Sequence, residues 1–199
     1  KSLEYFSNRV PNSSQKRAFN ANIMDNANNK TDLVVAGKTY LAPLALYSKK
    51  IKSASEIKDG ATIAIPNDPS NGGRALQLLA KQGWIELKPD VPATKVTKAD
   101  ITKYVKKIKI VEIEAPQLPR SLDDTTASVI NAGYAFAANL TKKDQIVAED
   151  NTSPYVNIIA VKKGRETDPS IVKYIEIFHT EPVKKFIEDK YKGQVVPAW

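Results

Sequence analysis

The stretch "ATIAIPNDPSNGGRALQLLAKQGW", residues 61–84, constrains the fold of this chain more than any other. "ATIAIP" predicts a buried strand that Pro66 ends, because the run is apolar and proline has no N–H for the next ladder bond. The segment that follows has apolar residues at helical spacing, and Gly83 ends the predicted helix. Together with the later strand "KIKIVEIEA", this order of strand, glycine loop and helix predicts a βαβ unit.

The first turn of that helix carries an unusual arginine. Arg74 directly follows the glycine pair Gly72 and Gly73. The start of a helix is the positive end of its dipole, and four backbone N–H groups there lack intrahelical partners. An added cation is unfavourable at this place unless an anion lies in front of it. The stretch therefore predicts a binding site for a small anionic group.

Other segments alternate between strand and helix patterns. Strands are expected at Leu33–Ala36, in "LALYSKK" and at Tyr155–Val161, and helices in "DPSIVKYIEIFH" and in "TEPVKKFIEDKY", which Thr180 caps. Capping boxes are expected at Ser53 with Glu56 and at Ser121 with Asp124, the second opening a helix in "SLDDTTASVI". The alternation predicts an α/β protein with mostly parallel sheets. Residues 7–31, rich in Asn and Ser, are predicted to be loop.

The composition excludes several kinds of chemistry. The chain has no cysteine and a single histidine, His179, so we expect no thiolate chemistry and no metal site. The sequence contains neither a Walker loop, nor G-x-G-x-x-G, nor G-x-S-x-G, and its acidic pairs fit helix starts or strand alternation. We therefore expect a binding protein without cofactor rather than an enzyme.

The net charge of +8 raises the question of nucleic-acid binding. The densest basic cluster is "KADITKYVKKIKI", residues 98–110, in which lysine predominates and aromatic residues are not interleaved with the charges. A solvated lysine face explains this cluster better than a nucleic-acid interface. A surface adhesin that uses the basic face is the alternative from another functional class.

Four motifs in order resemble one known family. They are "AGKTYLAPLALYSKKIKSASEIKDGATIAIPNDPSNGGRALQLLAKQGWIELK", "KIVEIEAPQLPRSLDD", "SVINAGYA" and "EDNTSPYVNIIAV". Together they resemble the methionine-binding lipoproteins of ABC importers, the NlpA/MetQ family, from about residue 31 to Trp199. The resemblance implies a type II periplasmic-binding-protein-like α/β fold, in which two lobes close on a ligand in the cleft between them.

The resemblance also implies a domain arrangement, partners and a location. Lobe one would comprise residues 1–60 and 141–199, and lobe two residues 61–140. The ligand would be L-methionine or a close relative, with a methionine-containing dipeptide or another apolar amino acid as the alternative. The partners would be the membrane permease of an ABC importer and its ATPase. The protein would be lipid-anchored on the extracytoplasmic face of the cell membrane, through a cysteine that is not in this chain.

Four polar residues match ligand residues of that family. Arg74 would hold the ligand carboxylate with two parallel bonds, and Asn71, Asn131 and Asn157 would bind the polar end of the ligand, Asn157 near its α-amino group. The bland alternative is a surface salt bridge for Arg74 and a turn or cap for each asparagine. That alternative is weak for Asn157, because an amide inside an apolar strand needs a partner.

The side-chain end of the ligand would meet a less aromatic wall than in the family. Tyr40 remains aromatic, but the loop "NANIMDN" offers Ile23, Met24 and Asn26 where the family carries aromatic residues and a histidine, and Ala42 stands where some members have tyrosine. Aromatic walls supply much of the apolar contact in such pockets. The resemblance thus predicts relaxed selectivity for the ligand side chain.

Overall fold

The computed structural model describes residues 32–92, 95–149 and 155–199. Its strands are β1 (Leu33–Lys38), β2 (Tyr40–Leu41), β3 (Leu44–Tyr47), β4 (Thr62–Pro66), β5 (Ile85–Leu87), β6 (Ile101–Tyr104), β7 (Lys109–Ile113), β8 (Ala127–Asn131), β9 (Gln145–Ala148), β10 (Ile158–Lys162) and β11 (Val196–Pro197). Its α-helices are α1 (Pro69–Lys81), α2 (Leu118–Ser121), α3 (Ala132–Ala137), α4 (Pro169–Phe178) and α5 (Glu181–Tyr191). Among these residues, no helix is long and apolar enough to cross a bilayer.

The described residues fall into two compact units by their contacts. The first unit contains 32–41, 155–190 and 196–199, and the second contains 42–92, 95–149 and 191–195. These contact groups change near 41 and 154, whereas the expected lobes change at 60 and 140. The lobe limits stay a prediction.

A five-stranded sheet organises the second unit, in the order β7–β4–β8–β3–β9. β4 runs parallel to β7 and β8, whereas β3 runs antiparallel to β8 and β9. The remaining strand pairs of the described residues, β1–β10, β2–β11 and β5–β6, are also antiparallel. The prediction of mostly parallel sheets is therefore wrong. The pattern of apolar residues identifies strands but carries no strand direction, which the connections decide.

Side-chain alternation along the central strands builds one core on each face of this sheet. Leu44, Leu46, Ile63 and Ile65 face the side on which α1 buries its apolar stripe. The residues that alternate with them on β3 and β4 face the other side of the sheet: Ala45, Tyr47 and Ala64. There they pack with Ile130 of β8 and with Leu118 and Leu122. The sheet is thus covered on both faces, as its nearly continuous apolar strands require.

Of the two capping boxes that the sequence predicts, one is present and one is not. The box of Ser53 and Glu56 is present, on a single 3-10 turn at Ala54–Glu56. The expected helix start at Ser121 is wrong, because Ser121 is the last residue of α2 and donates its hydroxyl to the Leu118 carbonyl at 2.8 Å. The following segment forms β8, since its apolar residues are buried between the two cores. Tertiary burial overrides the local capping signal here.

The first unit contains β1 paired with β10, β2 paired with β11, and helices α4 and α5. The expected strand at 155–161 lies at Ile158–Lys162, and the two closing helices lie where they are predicted. His179 is the C-cap of α4, and its Nε2 lies 2.8 Å from the Lys38 carbonyl oxygen. The histidine therefore has the helix-end position predicted for it.

Candidate functional site

The candidate site lies in the second unit, at the carboxyl ends of the neighbouring parallel strands β4 and β8. From β4 the chain continues through α1 toward β7 on one side, and it returns past β4 to form β8 on the other side. Such a reversal of strand order is the place where open α/β sheets leave a crevice for ligands. β4 ends at Pro66 and β8 ends at Asn131, so the segments that follow them meet at this edge.

The start of α1 is fixed by a cap that the sequence pattern contains but that the helix prediction did not use. The Asp68 side chain accepts the backbone N–H of Asn71 at 2.9 Å, and Pro69 occupies the first helical position. An acidic residue before proline is a known helix-start signal. The helix thus begins at Pro69, and Arg74 lies in its second turn rather than in the first turn predicted for it. A Cβ added at Gly72, in the first turn of α1, would lie 2.9 Å from the Pro66 carbonyl oxygen. Glycine is therefore needed for the close packing of α1 on the end of β4.

Asn71 links three other side chains of the site. Its amide Nδ2 lies 3.1 and 3.0 Å from the two carboxylate oxygens of Asp68. Its Oδ1 accepts from Nδ2 of Asn131 at 2.9 Å and from Nη1 of Arg74 at 3.3 Å. The alternative prediction, a turn or cap role for Asn71, is thus partly confirmed, because its side chain bonds to the capping residue Asp68. The same side chain also connects Arg74 and Asn131, which are predicted to bind ligand.

Arg74 forms an ion pair that sequence reasoning missed. Its Nε donates to Oε1 of Glu149 at 2.9 Å, and its Nη2 donates to Oε2 of the same carboxylate. Both side chains are only 11% exposed, so this pair is not the surface salt bridge considered as an alternative. Nη2 also lies 3.5 Å from the Ala42 carbonyl oxygen, a long contact for a guanidinium. No local pattern could have pointed to Glu149, which lies 75 positions from Arg74.

Asn131 stands at the junction of β8 and α3, and its side chain does not cap that helix. The Nδ2 group donates to Asn71, whereas Oδ1 is buried and has no hydrogen-bond partner among the described residues. A buried acceptor without a donor is rare in native proteins and calls for a bound group or water. The cap alternative for Asn131 is therefore not what the structure contains.

Asn157 and Tyr40 lie together in the first unit. The backbone N–H and the side-chain Nδ2 of Asn157 both donate to the Tyr40 carbonyl oxygen, at 2.8 and 3.1 Å. The Asn157 carbonyl oxygen accepts from the N–H and the hydroxyl of Thr39 at 2.8 and 2.9 Å. Asn157 directly precedes β10 rather than lying inside it, and its side-chain amide has the Tyr40 carbonyl as its partner. Ile23, Met24 and Asn26 lie outside the described residues.

The chemistry available at this edge is that of binding. It offers a guanidinium, the start of a helix and a buried carbonyl acceptor, all held by side-chain hydrogen bonds. Within the described ranges, His, Cys, Asp and Glu side chains do not gather in groups of three that could hold a metal ion. The arrangement suits a small ligand that carries both an acceptor and a donor, such as the two charged groups of an amino acid.

Known proteins that are similar to this chain in sequence include methionine-binding lipoproteins. The model of the NlpA lipoprotein family matches residues 12–199. The D-methionine-binding lipoprotein MetQ of Salmonella typhi is 45% identical over 170 residues, which are 84% of this chain and 62% of that protein. This chain spans less than two thirds of the length of such curated relatives.

Solved structures show the same fold. A nutrient-binding protein from Burkholderia cenocepacia bound to methionine has a TM-score of 0.79 at 38% identity, over 95% of this chain and 85% of that one. A periplasmic substrate-binding protein of an ABC transporter from Coxiella burnetii has a TM-score of 0.78 at 34% identity, over 94% of this chain and 84% of that one. The predicted α/β fold of periplasmic binding proteins is confirmed. Because the family model covers nearly all of its length, the chain belongs to the NlpA lipoprotein family.

Proposed function

We propose that this chain is the substrate-binding part of a lipid-anchored protein that captures methionine, or a close relative of methionine, for an ABC importer. It binds and releases its ligand without changing it. Its partners are the membrane permease of the importer and the ATPase that drives it. The names of the relatives support this proposal, since one is described as binding D-methionine, one is bound to methionine, and one belongs to an ABC transporter. Membrane anchoring is supported by the family's description as lipoproteins.

The observation that carries the proposal is the hydrogen-bonded set of Asn71, Arg74 and Asn131 beside a buried acceptor without a donor. The three side chains are joined through Asn71 Oδ1, at 2.9 Å from Asn131 and 3.3 Å from Arg74. Oδ1 of Asn131 is buried without a partner among the described residues. A ligand that brings a donor to this oxygen removes the cost of that unsatisfied group, about 1–3 kcal/mol.

An α-amino acid meets both needs of this set. Its carboxylate would approach the Nη1 and Nη2 end of Arg74 and exchange the long contacts to Asn71 and Ala42, 3.3 and 3.5 Å, for charge-assisted bonds. The start of α1 adds favourable dipole interactions with the same anion. Its ammonium group would donate to Oδ1 of Asn131. We propose Asn157 and Tyr40, in the first unit, as further ligand residues on the ground of the family resemblance alone.

The ligand side chain sets the selectivity of the site. A missing methylene in an apolar pocket is worth only ~1–3 kcal/mol, so a wall with few aromatic residues discriminates weakly. We propose that methionine is accepted together with a methionine-containing dipeptide or a similar apolar amino acid.

A ligand panel tests the function. Thermal unfolding is followed with L-methionine, D-methionine, norleucine, leucine and Gly-Met, because a ligand of the native state stabilises by RT ln(1 + [L]/Kd). We expect at least one methionine-containing ligand to raise the melting temperature, and calorimetry then gives its Kd. A panel in which no compound stabilises the protein contradicts the proposed function. Stabilisation by one methionine enantiomer alone contradicts only the relaxed selectivity.

A matched pair of variants tests the site. Arg74→Ala removes the guanidinium and is expected to weaken binding by about 2–5 kcal/mol, as for other truncated charged contacts. Arg120→Ala removes an equal charge from an exposed position on α2 and is expected to leave Kd unchanged. Equal affinities of the two variants would contradict the assignment of Arg74.

A further inference from the structure

We propose that Glu149 is the positioning residue of the binding site, which holds Arg74 by one edge of its guanidinium and keeps that hold when the ligand carboxylate binds. This inference rests on the proposed function, because it assigns to Arg74 the ligand contact. It competes with the opposite role, in which the Glu149 carboxylate stands in for the ligand and leaves when the ligand arrives. The two roles predict opposite changes in affinity when the charge of Glu149 is removed.

Glu149 is hydrogen-bonded to two other elements of the second unit, helix α1 and strand β3. Its carboxylate accepts from Nε and Nη2 of Arg74 on α1. Oε2 of the same group accepts the backbone N–H of Leu44 at 2.9 Å, at the start of β3. The backbone N–H of Glu149 donates to the Leu44 carbonyl oxygen, also at 2.9 Å. Glu149 is thus bonded to β3 through both its backbone and its side chain.

The bond to Leu44 argues that the carboxylate stays in place. Leu44 is fully buried, and its N–H has the Glu149 side chain as its partner. A departing carboxylate would leave this N–H without an acceptor and would also break two bonds to a nearly buried guanidinium. A ligand carboxylate would have to offset both losses before it gained anything.

In this proposal the ligand carboxylate binds Arg74 at an edge of the guanidinium other than the one that Glu149 holds. Glu149 binds the Nε–Nη2 edge of Arg74, and Nη1 lies 3.3 Å from Oδ1 of the neutral Asn71. A guanidinium can hold two carboxylates on two of its edges, because its donors lie in one plane. With one edge fixed, the arginine loses less rotamer freedom on binding, so preorganisation adds to affinity.

The test measures Kd by calorimetry, with the panel compound that binds best to the unaltered protein as the probe. Glu149→Gln keeps the shape and removes the charge, and we expect it to raise Kd by tenfold or more. Asp123→Asn is the matched control, because Asp123 forms an exposed ion pair with Lys49 in the same unit, and we expect it to leave Kd unchanged. An unchanged or lower Kd for Glu149→Gln overturns the inference, the lower value being the signature of a displaced stand-in.

A double-mutant cycle separates positioning from general loss of structure. In an Arg74→Lys background there is no planar edge for Glu149 to hold, so Glu149→Gln should change Kd less than threefold. The same tenfold loss in both backgrounds overturns the inference, because Glu149 would then act independently of Arg74. If Glu149→Gln does not fold, Glu149→Asp carries the test: its shorter side chain keeps the charge but cannot bridge Arg74 and Leu44 equally, and its Kd should rise.

The outcomes distinguish this inference from the function on which it rests. Binding by the unaltered protein with an unchanged Kd for Glu149→Gln overturns the role of Glu149 and leaves the proposed function intact. No binding by the unaltered protein to any panel compound overturns both.

Discussion

Arg74 and Glu149, 75 positions apart in the chain, form a nearly enclosed ion pair on one edge of the guanidinium, with Nε 2.9 Å from Oε1. Each side chain is 11% exposed. The charge of Arg74, in the second turn of α1, is therefore balanced inside the second unit. A buried charge without its partner is costly, so we expect the loss of either residue to affect both the stability of the fold and ligand binding.

Removing one member of this pair should destabilise the fold strongly. Glu149→Ala leaves a nearly buried guanidinium and the Leu44 N–H without their acceptor, and we expect a loss of about 3–5 kcal/mol in the free energy of unfolding. Asp123→Ala breaks the exposed pair with Lys49, whose side chains are 66% and 53% exposed, and should cost no more than ~1 kcal/mol. Urea denaturation of both variants checks the contrast, and equal losses would contradict it.

Two glycines in the first turns of helices that follow strands should respond oppositely to substitution by alanine. A Cβ at Gly72 would lie 2.9 Å from the Pro66 carbonyl oxygen, so Gly72→Ala must move backbone and is expected to cost about 1–3 kcal/mol. A Cβ at Gly133, in the first turn of α3, meets nothing within 4 Å, and Gly133→Ala should stabilise by about 0.4–1 kcal/mol. Melting temperatures that shift in the same direction for both would argue against the close packing of α1 on β4.

Asn157→Leu should separate binding from stability. The Tyr40 carbonyl oxygen keeps its backbone donor, the Asn157 N–H at 2.8 Å, when the side-chain amide is lost. We therefore expect the ligand-free melting temperature to change little while ligand binding is abolished. Thr39→Val is the control, because it removes a side-chain bond to a carbonyl oxygen that likewise keeps a backbone donor, and it should retain binding. A large loss of ligand-free stability in Asn157→Leu would instead indicate a structural role.

Asp168 should titrate far below an ordinary aspartate. Its hydrogen bond from Arg165 is the largest cause, followed by those from the Ser170 hydroxyl and N–H at the start of α4, and together they lower its pKa from 3.8 to about 2. Because the pKa is lower in the folded state, the carboxylate stabilises the fold fully above pH 3.8 and loses this effect as the pH falls through about 2. Carboxyl-carbon NMR should give a midpoint near 2, which Arg165→Gln moves upward. A midpoint at 3.8 in the unaltered protein would show that the cap does not form.

The sequence was most informative where local signals agree with burial. Three signals mark the same strand–loop–helix unit, which the structure contains: Pro66 at the end of β4, the apolar stripe of α1, and Gly83. Gly83 has the positive φ, 71°, that glycine favours after a helix. Asn71 and Asn131 could be grouped with Arg74 only through the family resemblance. Their spacing of 60 positions has no period that local structure could produce.

The sequence was least informative where a partner lies far along the chain. The antiparallel places of β3 and β9 follow from the topology of the whole sheet, and nothing in "LALY" or "QIVA" indicates them. Glu149 precedes a stretch rich in turn-forming residues and has the appearance of an ordinary loop acid. Ser121 gave a false signal, because its hydroxyl caps no helix and instead bonds to the Leu118 carbonyl and lies 2.7 Å from the Ser128 hydroxyl.

The position of β3 between β8 and β9 has a consequence for the order of folding. β3 is made early, yet its two neighbours in the sheet lie about a hundred residues later in the chain, at Leu44↔Asn131 and Ala45↔Ala148. Closing loops of this length loses chain entropy before any contact is gained, which slows folding. During synthesis, the residues of β4 and α1 are made long before those of β9 and Glu149. Arg74 is therefore made before Glu149, the carboxylate with which it pairs. We expect the formation of this ion pair to be among the last events in the folding of the second unit.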